Sequence, residues 1–327
     1  MTAPLATRVS RADGAAVADA VHRLKAGGLV AFPTETVYGL GADATNGPAI
    51  ARLYEAKGRP AFNPLIAHVV DVAAAQALGR FDAAAARLAK TFWPGPLTLV
   101  VPKAAGCPVA DLATAGLDTI AVRAPSHPVA QKILAAFGGP IVAPSANRSG
   151  HLSPTTAAHV LADLRGRIDL IVNDGATPVG VESTVVACLG EPVLLRPGGV
   201  PREAIERALG RKLGDRAAAT NAEPPTAPGM LASHYAPRTP LRLEARRVEP
   251  GEALLAFGPT PAEGVARAVT VLNLSPRGDL VEAAANLFSH LRSLDGAGAT
   301  AIAVMPIPSE GLGEAINDRL ARAAAPR

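Results

Sequence analysis

The chain has 327 residues, of which 49% are hydrophobic and 18% charged, and this composition is typical of packed globular proteins. Its length exceeds the ~250–300 residues at which single cores stop growing, so we expect two domains. The net charge of +4 permits an anionic partner such as a nucleotide or RNA without requiring one. Cys107 and Cys188 lie too far apart for a CxxC zinc site or a disulfide framework. Because residues 1–20 lack a signal-peptide core and no stretch approaches ~20 apolar residues, we predict a cytoplasmic protein with no membrane partner.

Helix and strand patterns alternate along the first two thirds of the chain, which indicates an α/β fold. Val17, Val21 and Leu24 share one face of a helix that ends before Gly27. Short apolar runs then predict strands at residues 29–32, 64–70, 97–101, 119–122, 141–143, 170–172, 184–186 and 193–195. Several of these runs are too close together for helical crossovers, so we expect a twisted mixed sheet.

The composition changes after Leu213. Residues 214–240 are rich in proline and lack apolar periodicity, which indicates a linker or an ordered arm. Beyond them, apolar runs at 254–257, 269–272 and 302–304 alternate with helical patterns. We therefore predict a first domain at residues 1–213, an arm at 214–240, and a second, smaller three-layer α/β domain at 241–327.

Polar clusters follow several predicted strands, and the carboxyl ends of strands are where open α/β sheets bind ligands. The sequence PTET at residues 33–36 is one such cluster, and its neighbours Gly39 and Gly41 permit a close approach to the backbone. Lys57 and Arg59 lie in a proline-stiffened loop that suits phosphates. Each cluster alone also fits an ordinary role, such as a turn or a solvated basic loop. Ser153 before Pro154 alone is better explained as a helix N-cap.

Taken in order, these motifs resemble the two-domain form of the threonylcarbamoyl-AMP synthase family, and the resemblance covers nearly the whole chain. The motifs are PTETVYGLG (33–41), KGRPAFNPLIAH (57–68), TIAVRAPSHP (119–128), APSANRSGHLSPT (143–155), ESTVV (182–186), LRPGG (195–199), HYAP (234–237) and GLGEAINDRLARAA (311–324). The resemblance implies an enzyme that joins L-threonine, bicarbonate and ATP into L-threonylcarbamoyladenylate and releases pyrophosphate. It also implies a downstream tRNA threonylcarbamoyl-transfer machinery as partner. Mg²⁺ would accompany ATP through phosphates and water, so we expect no protein metal cage.

The resemblance also assigns roles to individual residues. The candidate catalytic residues are Lys57 and Arg59, which would neutralise the phosphates of ATP. Those expected around threonine are Thr34, His68, Arg123, Ser145 and Ser183, with Arg123 paired to the substrate carboxylate. Those expected to complete the ATP site are Asn63, Thr119, Asn147, Ser153, Arg196, His234 and Tyr235. His68 has an alternative explanation, because a single histidine in an apolar strand is more often a core residue.

The arm departs from the family pattern, because Met230, Leu231, Ala232 and Ser233 stand where relatives usually have basic residues. His234 and Tyr235 nevertheless match. Our hypothesis is that the arm folds over the cleft and protects water-sensitive intermediates, and the alternative is a passive tether.

Two other functions remain to be weighed. A carbamoyl-transfer enzyme of hydrogenase maturation shares the first domain's fold, but it would need acyl-phosphatase and zinc-containing modules that this sequence does not show. A double-stranded RNA-binding module is the non-enzymatic alternative. Its scattered basic residues would give only weak RNA binding, which should fall steeply with salt.

Overall fold

The computed structural model describes residues 5–215 and 235–325 of the chain. Its strands are β1 (Arg8–Arg11), β2 (Val30–Pro33), β3 (Tyr38–Asp43), β4 (Ile66–His68), β5 (Leu97–Pro102), β6 (Thr119–Arg123), β7 (Ile141–Val142), β8 (Leu170–Asn173), β9 (Thr184–Ala187), β10 (Val193–Arg196), β11 (Gly214–Asp215), β12 (Leu241–Arg242), β13 (Ala253–Ala256), β14 (Val271–Asn273) and β15 (Ile302–Val304). Its α-helices are α1 (Gly14–Lys25), α2 (Gly47–Lys57), α3 (Val72–Gln76), α4 (Ala83–Phe92), α5 (Asp111–Thr114), α6 (Pro128–Phe137), α7 (Ala157–Leu164), α8 (Arg202–Leu209), α9 (Leu280–Asp295) and α10 (Leu312–Ala324).

One sheet of eleven strands forms the centre of the first domain, in the order β1-β8-β2-β3-β7-β4-β6-β5-β9-β10-β11. Parallel and antiparallel pairs both occur in it: β4 and β6 are parallel, whereas β2–β3 and β5–β6 are antiparallel. The predicted mixed sheet is therefore confirmed. The strand β3 was not predicted, because its two glycines and the preceding polar turn hide the apolar alternation.

Helices cover both faces of this sheet, and the alternation of side chains along the strands explains why. In β2, Val30 and Phe32 point into a core with α1 and α6, while Ala31 joins the core on the opposite face. That opposite core also receives apolar residues from α2, α4, α7 and α8. A strand buried on both faces has no polar side, which accounts for the continuous apolar runs in the sequence.

The second domain contains a parallel sheet in the order β12-β15-β13-β14. Helices α9 and α10 pack on one face against Leu255, Ile302 and Val304. The other face buries Leu254 and Ala303 against an irregular segment that includes a short 3₁₀ helix at Val265–Arg267. The predicted smaller three-layer α/β domain is therefore confirmed, with this segment as its third layer.

The two domains share one apolar cluster. Val37, Leu152 and Val181 of the first domain are buried together with Phe288 of α9 and Ile316 of α10. The short strand β11 pairs with β10, so the sheet of the first domain extends to residue 215. Most of the predicted arm, residues 216–234, lies outside the described residues, and the domain boundaries stay a prediction. Within the two described ranges, no helix has the combination of length and apolar character that a membrane span requires.

Candidate functional site

A pocket opens in the first domain where several strands of its sheet end. Seven of its lining residues were predicted from the sequence: Arg59, His68, Arg123, Ser145, Ser183, Arg196 and Tyr235. Seven others were not predicted: Thr36, Val37, Leu65, Ile66, Ala143, Pro144 and Glu182. The pocket thus brings together motifs that lie as much as 199 residues apart, between Thr36 and Tyr235.

The parallel pairing of β4 and β6 explains how two of these side chains meet. His68 and Arg123 are the last residues of their strands, and they stand opposite each other in the register. Residues at the carboxyl ends of neighbouring parallel strands share one edge of the sheet. This edge is the floor of the pocket.

The turn between β2 and β3 explains why polar residues directly follow a buried strand. Pro33 pairs with Tyr38, so the four residues between them reverse the chain. The Thr34 hydroxyl donates to the carbonyl of Val37 at 2.7 Å and lies 2.8 Å from the Thr36 hydroxyl. Thr34 is therefore engaged inside the turn, and Thr36, which was not predicted, lines the pocket instead.

The two glycines of this motif serve the packing of the sheet. A Cβ atom on Gly41 would lie 2.7 Å from the Phe32 ring, and one on Gly39 would lie 3.1 Å from the Cβ of Ala143. Real Cβ atoms essentially never come as close as the first distance. The groups that closely approach these glycines are the protein's own neighbouring residues.

Arg123 is held by several groups at once. Its Nη2 donates to Glu35 Oε1 at 2.6 Å and its Nη1 donates to the Thr36 hydroxyl at 3.0 Å. The other carboxylate oxygen of Glu35 accepts from the backbone N–H of Ser126 at 3.0 Å. Glu35 was missed by the sequence analysis, although an acidic residue between two threonines in a buried motif is a signal for a charged partner.

His68 is buried and stays neutral. Burial and the neighbouring Arg123 lower the pKa of His68 to about 3. Its Nδ1 lies 3.1 Å from the carbonyl oxygen of Ile66, which can only accept, so Nδ1 carries the proton. Nε2 is then a hydrogen-bond acceptor. The alternative that His68 is only a core residue does not explain why it lines the pocket.

Lys57 is the last residue of α2, followed by Gly58 in the left-handed conformation at φ 59°. Its Nζ donates to the carbonyl oxygens of Ser145 and Asn147, both at 2.5 Å. Burial lowers the pKa of Lys57 well below its usual value, and Arg59 adds to this effect. Lys57 is not a solvated loop cation, since it is 2% exposed and ties the loop after β7 to α2.

Arg59, Asn63 and Asn147 lie around the same loops. Arg59 donates to the carbonyl oxygens of Asn63 at 3.2 Å and of Pro64 at 2.9 Å. Burial lowers the pKa of Arg59 to about 10, so it stays charged at neutral pH. The side-chain Oδ1 atoms of Asn63 and Asn147 are buried and have no hydrogen-bond partner in the described structure. Buried acceptors of this kind are rare in folded proteins.

Ser183, Arg196 and Glu182 line the same pocket as His68. Arg196 donates through Nη2 to the Ser183 carbonyl at 2.8 Å, and the Ser183 hydroxyl lies 2.7 Å from that of Thr98. Glu182 accepts a hydrogen bond from the hydroxyl of the fully buried Ser153. The predicted N-cap role of Ser153 is wrong, because Thr156 caps α7.

Several predicted residues do not line the pocket. Five of them lie behind its wall and form hydrogen bonds with lining residues or with each other: Thr34, Lys57, Asn63, Asn147 and Ser153. Thr119 begins β6, at the opposite end of that strand from Arg123. His234 lies outside the described residues, whereas Tyr235 is 1% exposed and lines the pocket. In the described parts of the chain, no three His, Cys, Asp or Glu side chains cluster as metal ligands.

Comparisons with known proteins agree along the whole chain. A family model described as "Telomere recombination" matches residues 22–198, and one described as "Threonylcarbamoyl-AMP synthase, C-terminal domain" matches residues 200–325. The chain is 43% identical over 324 residues to a threonylcarbamoyl-AMP synthase of Bacillus subtilis, covering 95% of this chain and 93% of that relative. A threonylcarbamoyl-AMP synthase of Pyrococcus abyssi is 43% identical over 319 residues, covering 92% and 91%. The crystal structure of P. abyssi Sua5 complexed with L-threonine is similar with a TM-score of 0.86 and 39% identity, covering 98% of this chain and 97% of that one.

Proposed function

The chain belongs to the threonylcarbamoyl-AMP synthase family, and we propose that it joins L-threonine, bicarbonate and ATP into L-threonylcarbamoyladenylate with release of pyrophosphate. The observation that carries this proposal is the pocket in which a neutral histidine and three arginines converge at one edge of the sheet. The reaction transfers an adenylyl group to a carbamate oxygen, so the enzyme is a nucleotidyltransferase. The product would serve the threonylcarbamoylation of tRNA.

Threonine would bind above the His68–Arg123 edge. Arg123 keeps a guanidinium in the pocket while Glu35 and Thr36 hold it from behind, and guanidinium is the natural partner of a carboxylate. His68 Nε2 would accept a hydrogen bond from the amino group of threonine. A histidine with a pKa of about 3 is too weak a base to store that proton, so His68 orients the amine rather than deprotonating it. Ser145 and Ser183 offer further polar contacts at the same pocket.

The nucleotide would bind along Arg59 and Arg196. Both guanidinium groups line the pocket and would neutralise the negative charge that phosphates bring. Lys57 would support this site from behind by holding the loop that carries Ser145 and Asn147. Asn63 and Asn147, which lie behind the wall, would complete the nucleotide site by holding Arg59 and Lys57 through their backbone carbonyl groups.

ATP would enter as its Mg²⁺ complex, which is the reaction's substrate. Mg²⁺ keeps several waters and binds mainly through phosphates in such sites, so the pocket needs to supply charge neutralisation and position. The residues named above would hold the carbamate oxygen and the α-phosphorus in line. Positioning of this kind accounts for much of the acceleration of a two-substrate reaction.

The two alternative functions are less well supported. The family model for the C-terminal domain of threonylcarbamoyl-AMP synthase matches residues 200–325, which include the accessory domain. Neither a hydrogenase-maturation enzyme nor an RNA-binding module would explain that match. Weak RNA binding remains compatible with the net charge of +4. It would be a secondary property of the enzyme.

The test is incubation of the full chain with ATP, L-threonine and bicarbonate, followed by chromatography for pyrophosphate and the adenylate. We expect both products together, and neither when threonine is omitted. Equal pyrophosphate release with and without threonine would contradict the proposal.

A further inference from the structure

A buried arginine of the accessory domain reaches the wall of the pocket. Arg319 lies in α10 and is 0% exposed. Its Nε donates to Glu182 Oε2 at 2.7 Å, its Nη1 to Asp318 at 2.5 Å and its Nη2 to the carbonyl of Pro197 at 3.0 Å. Every nitrogen of this guanidinium is thus engaged, and two of its partners belong to the first domain.

The same guanidinium also supports the end of the arm. Its carbon lies 5.3 Å from the ring centroid of Tyr235, within the range of a cation–π contact. Tyr235 packs against Phe288 of α9 with ring centroids 5.5 Å apart. Because Tyr235 and Glu182 both line the pocket, Arg319 fixes two of its wall residues from behind.

The negative charge of Glu182 in the pocket explains why a buried arginine lies behind it. Among the described lining residues Glu182 carries the one carboxylate, and it shares the pocket with Arg59 and Arg196, where the phosphates of ATP are proposed to bind. Burial alone raises the pKa of Glu182. Arg319, Arg196 and the Ser153 hydroxyl lower it by more than burial raises it, so the pKa falls to about 2. Glu182 is therefore negative at neutral pH, and an unbalanced carboxylate would repel a polyphosphate.

We propose that Arg319 is a positioning residue of the active site, through which the accessory domain neutralises Glu182 and keeps the pocket attractive to ATP. This inference rests on the proposed function, because it takes the pocket as an ATP site. If it is right, the accessory domain contributes to substrate binding as well as to the stability of the fold. Helix α10 also stabilises the fold through a second ion pair.

That second ion pair provides a matched control. Arg202 of α8 donates to Glu314 of α10 at 3.0 Å through Nε and 2.6 Å through Nη2, and neither residue lines the pocket. Both pairs join α10 to the first domain. The variant Glu314→Gln weakens the domain contact without changing the charge beside the nucleotide.

The experiment is calorimetric titration of Mg²⁺–ATP into the full chain and its variants, at a temperature where circular dichroism shows each to be folded. Arg319→Met should weaken ATP binding by about tenfold or more, because Glu182 then faces the phosphates without its counter-charge. Glu314→Gln should bind ATP like the wild type. The double variant Glu182→Gln with Arg319→Met should regain most of the lost affinity. A purely structural role of Arg319 does not predict this recovery, because the double variant still lacks the contact between the two domains.

The outcomes separate the two claims. A wild-type chain that does not bind ATP would contradict the proposed function. A wild-type chain that binds ATP, together with unchanged affinity in Arg319→Met or no recovery in the double variant, would overturn the role of Arg319 alone. If Arg319→Met does not fold, Arg319→Gln replaces it, because it also removes the charge and keeps a hydrogen-bond donor beside Glu182. A dissociation constant for Arg319→Gln above that of Glu314→Gln supports the proposal, and an equal one overturns it.

Discussion

Arg123 donates to Glu35 at 2.6 Å, and the two side chains are only 4% and 8% exposed. A buried ion pair of this kind contributes little net stability, but breaking it by removing one partner is costly. Its value here is geometric, because Glu35 fixes the guanidinium while leaving it at the pocket wall. The pair therefore connects the turn after β2 with the end of β6.

Arg123→Lys should raise the KM for threonine by about tenfold or more, because an ammonium cannot hold Glu35 and a substrate carboxylate in the same forked geometry. The dissociation constant for ATP, measured without threonine, should barely change. Steady-state kinetics and calorimetry on the same preparation check both. A large loss of ATP affinity would mean that Arg123 serves the nucleotide instead.

Glu35→Gln tests the positioning of that arginine. The amide keeps one acceptor oxygen, so it can accept from Arg123 or from the Ser126 N–H but not from both, and it loses the charge. We expect a smaller rise in the threonine KM than for Arg123→Lys, with kcat at saturating threonine close to that of the wild type. An unchanged KM would show that Glu35 serves only the fold.

Lys57→Met should lower the free energy of unfolding by about 2 kcal/mol, because two buried carbonyl groups lose their donor. Turnover should fall as well, since the loop carrying Ser145 and Asn147 is released. Lys132→Met is the control, because Lys132 is exposed on α6, where substitutions usually change stability by less than ~0.5 kcal/mol. Equal urea midpoints for the two variants would contradict the structural role of Lys57.

His68 makes stability depend on pH in a defined window. Its pKa is about 3 in the folded chain and 6.5 as the ordinary value, so between these the unfolded chain binds a proton that the folded chain does not. The contribution is complete above pH 6.5 and is lost as the pH falls toward 3. Relative to His68→Gln, the wild type should lose about 2 kcal/mol between pH 7 and pH 5 in urea denaturation. Parallel pH profiles of the two proteins would show that the folded chain protonates His68 as readily as the unfolded chain does, and would contradict the lowered pKa.

The sequence predicted the mixed sheet and most of its strands because these strands are continuous apolar runs, which buried strands require. It did not predict β3, because glycine is uncommon inside strands. The structure shows that Gly39 and Gly41 leave room for Ala143 and Phe32 on neighbouring parts of the sheet. Among the site residues, motif order identified Arg123 and His68. The partners of Glu35 and Glu182 lie 88 and 137 residues away, so a local pattern can indicate a charge that needs a partner but cannot identify that partner.

A fragment of residues 1–213 should unfold at a lower urea concentration than the full chain. Removal of the accessory domain exposes Val37, Leu152 and Val181, and burial of a large apolar side chain is worth ~1.5–3 kcal/mol. The fragment should also bind a hydrophobic dye, and it should make little product. An unchanged urea midpoint with no dye binding would mean that the first domain does not depend on the shared cluster.

The central claim is that one pocket joins three substrates, and isotope transfer tests it most directly. The full chain is incubated with ATP, L-threonine and ¹³C-bicarbonate, and the products are analysed by mass spectrometry. The account predicts an adenylate that contains both threonine and the bicarbonate carbon, formed in equal amount with pyrophosphate. Pyrophosphate without such a labelled adenylate, or an adenylate of threonine lacking the label, would contradict it.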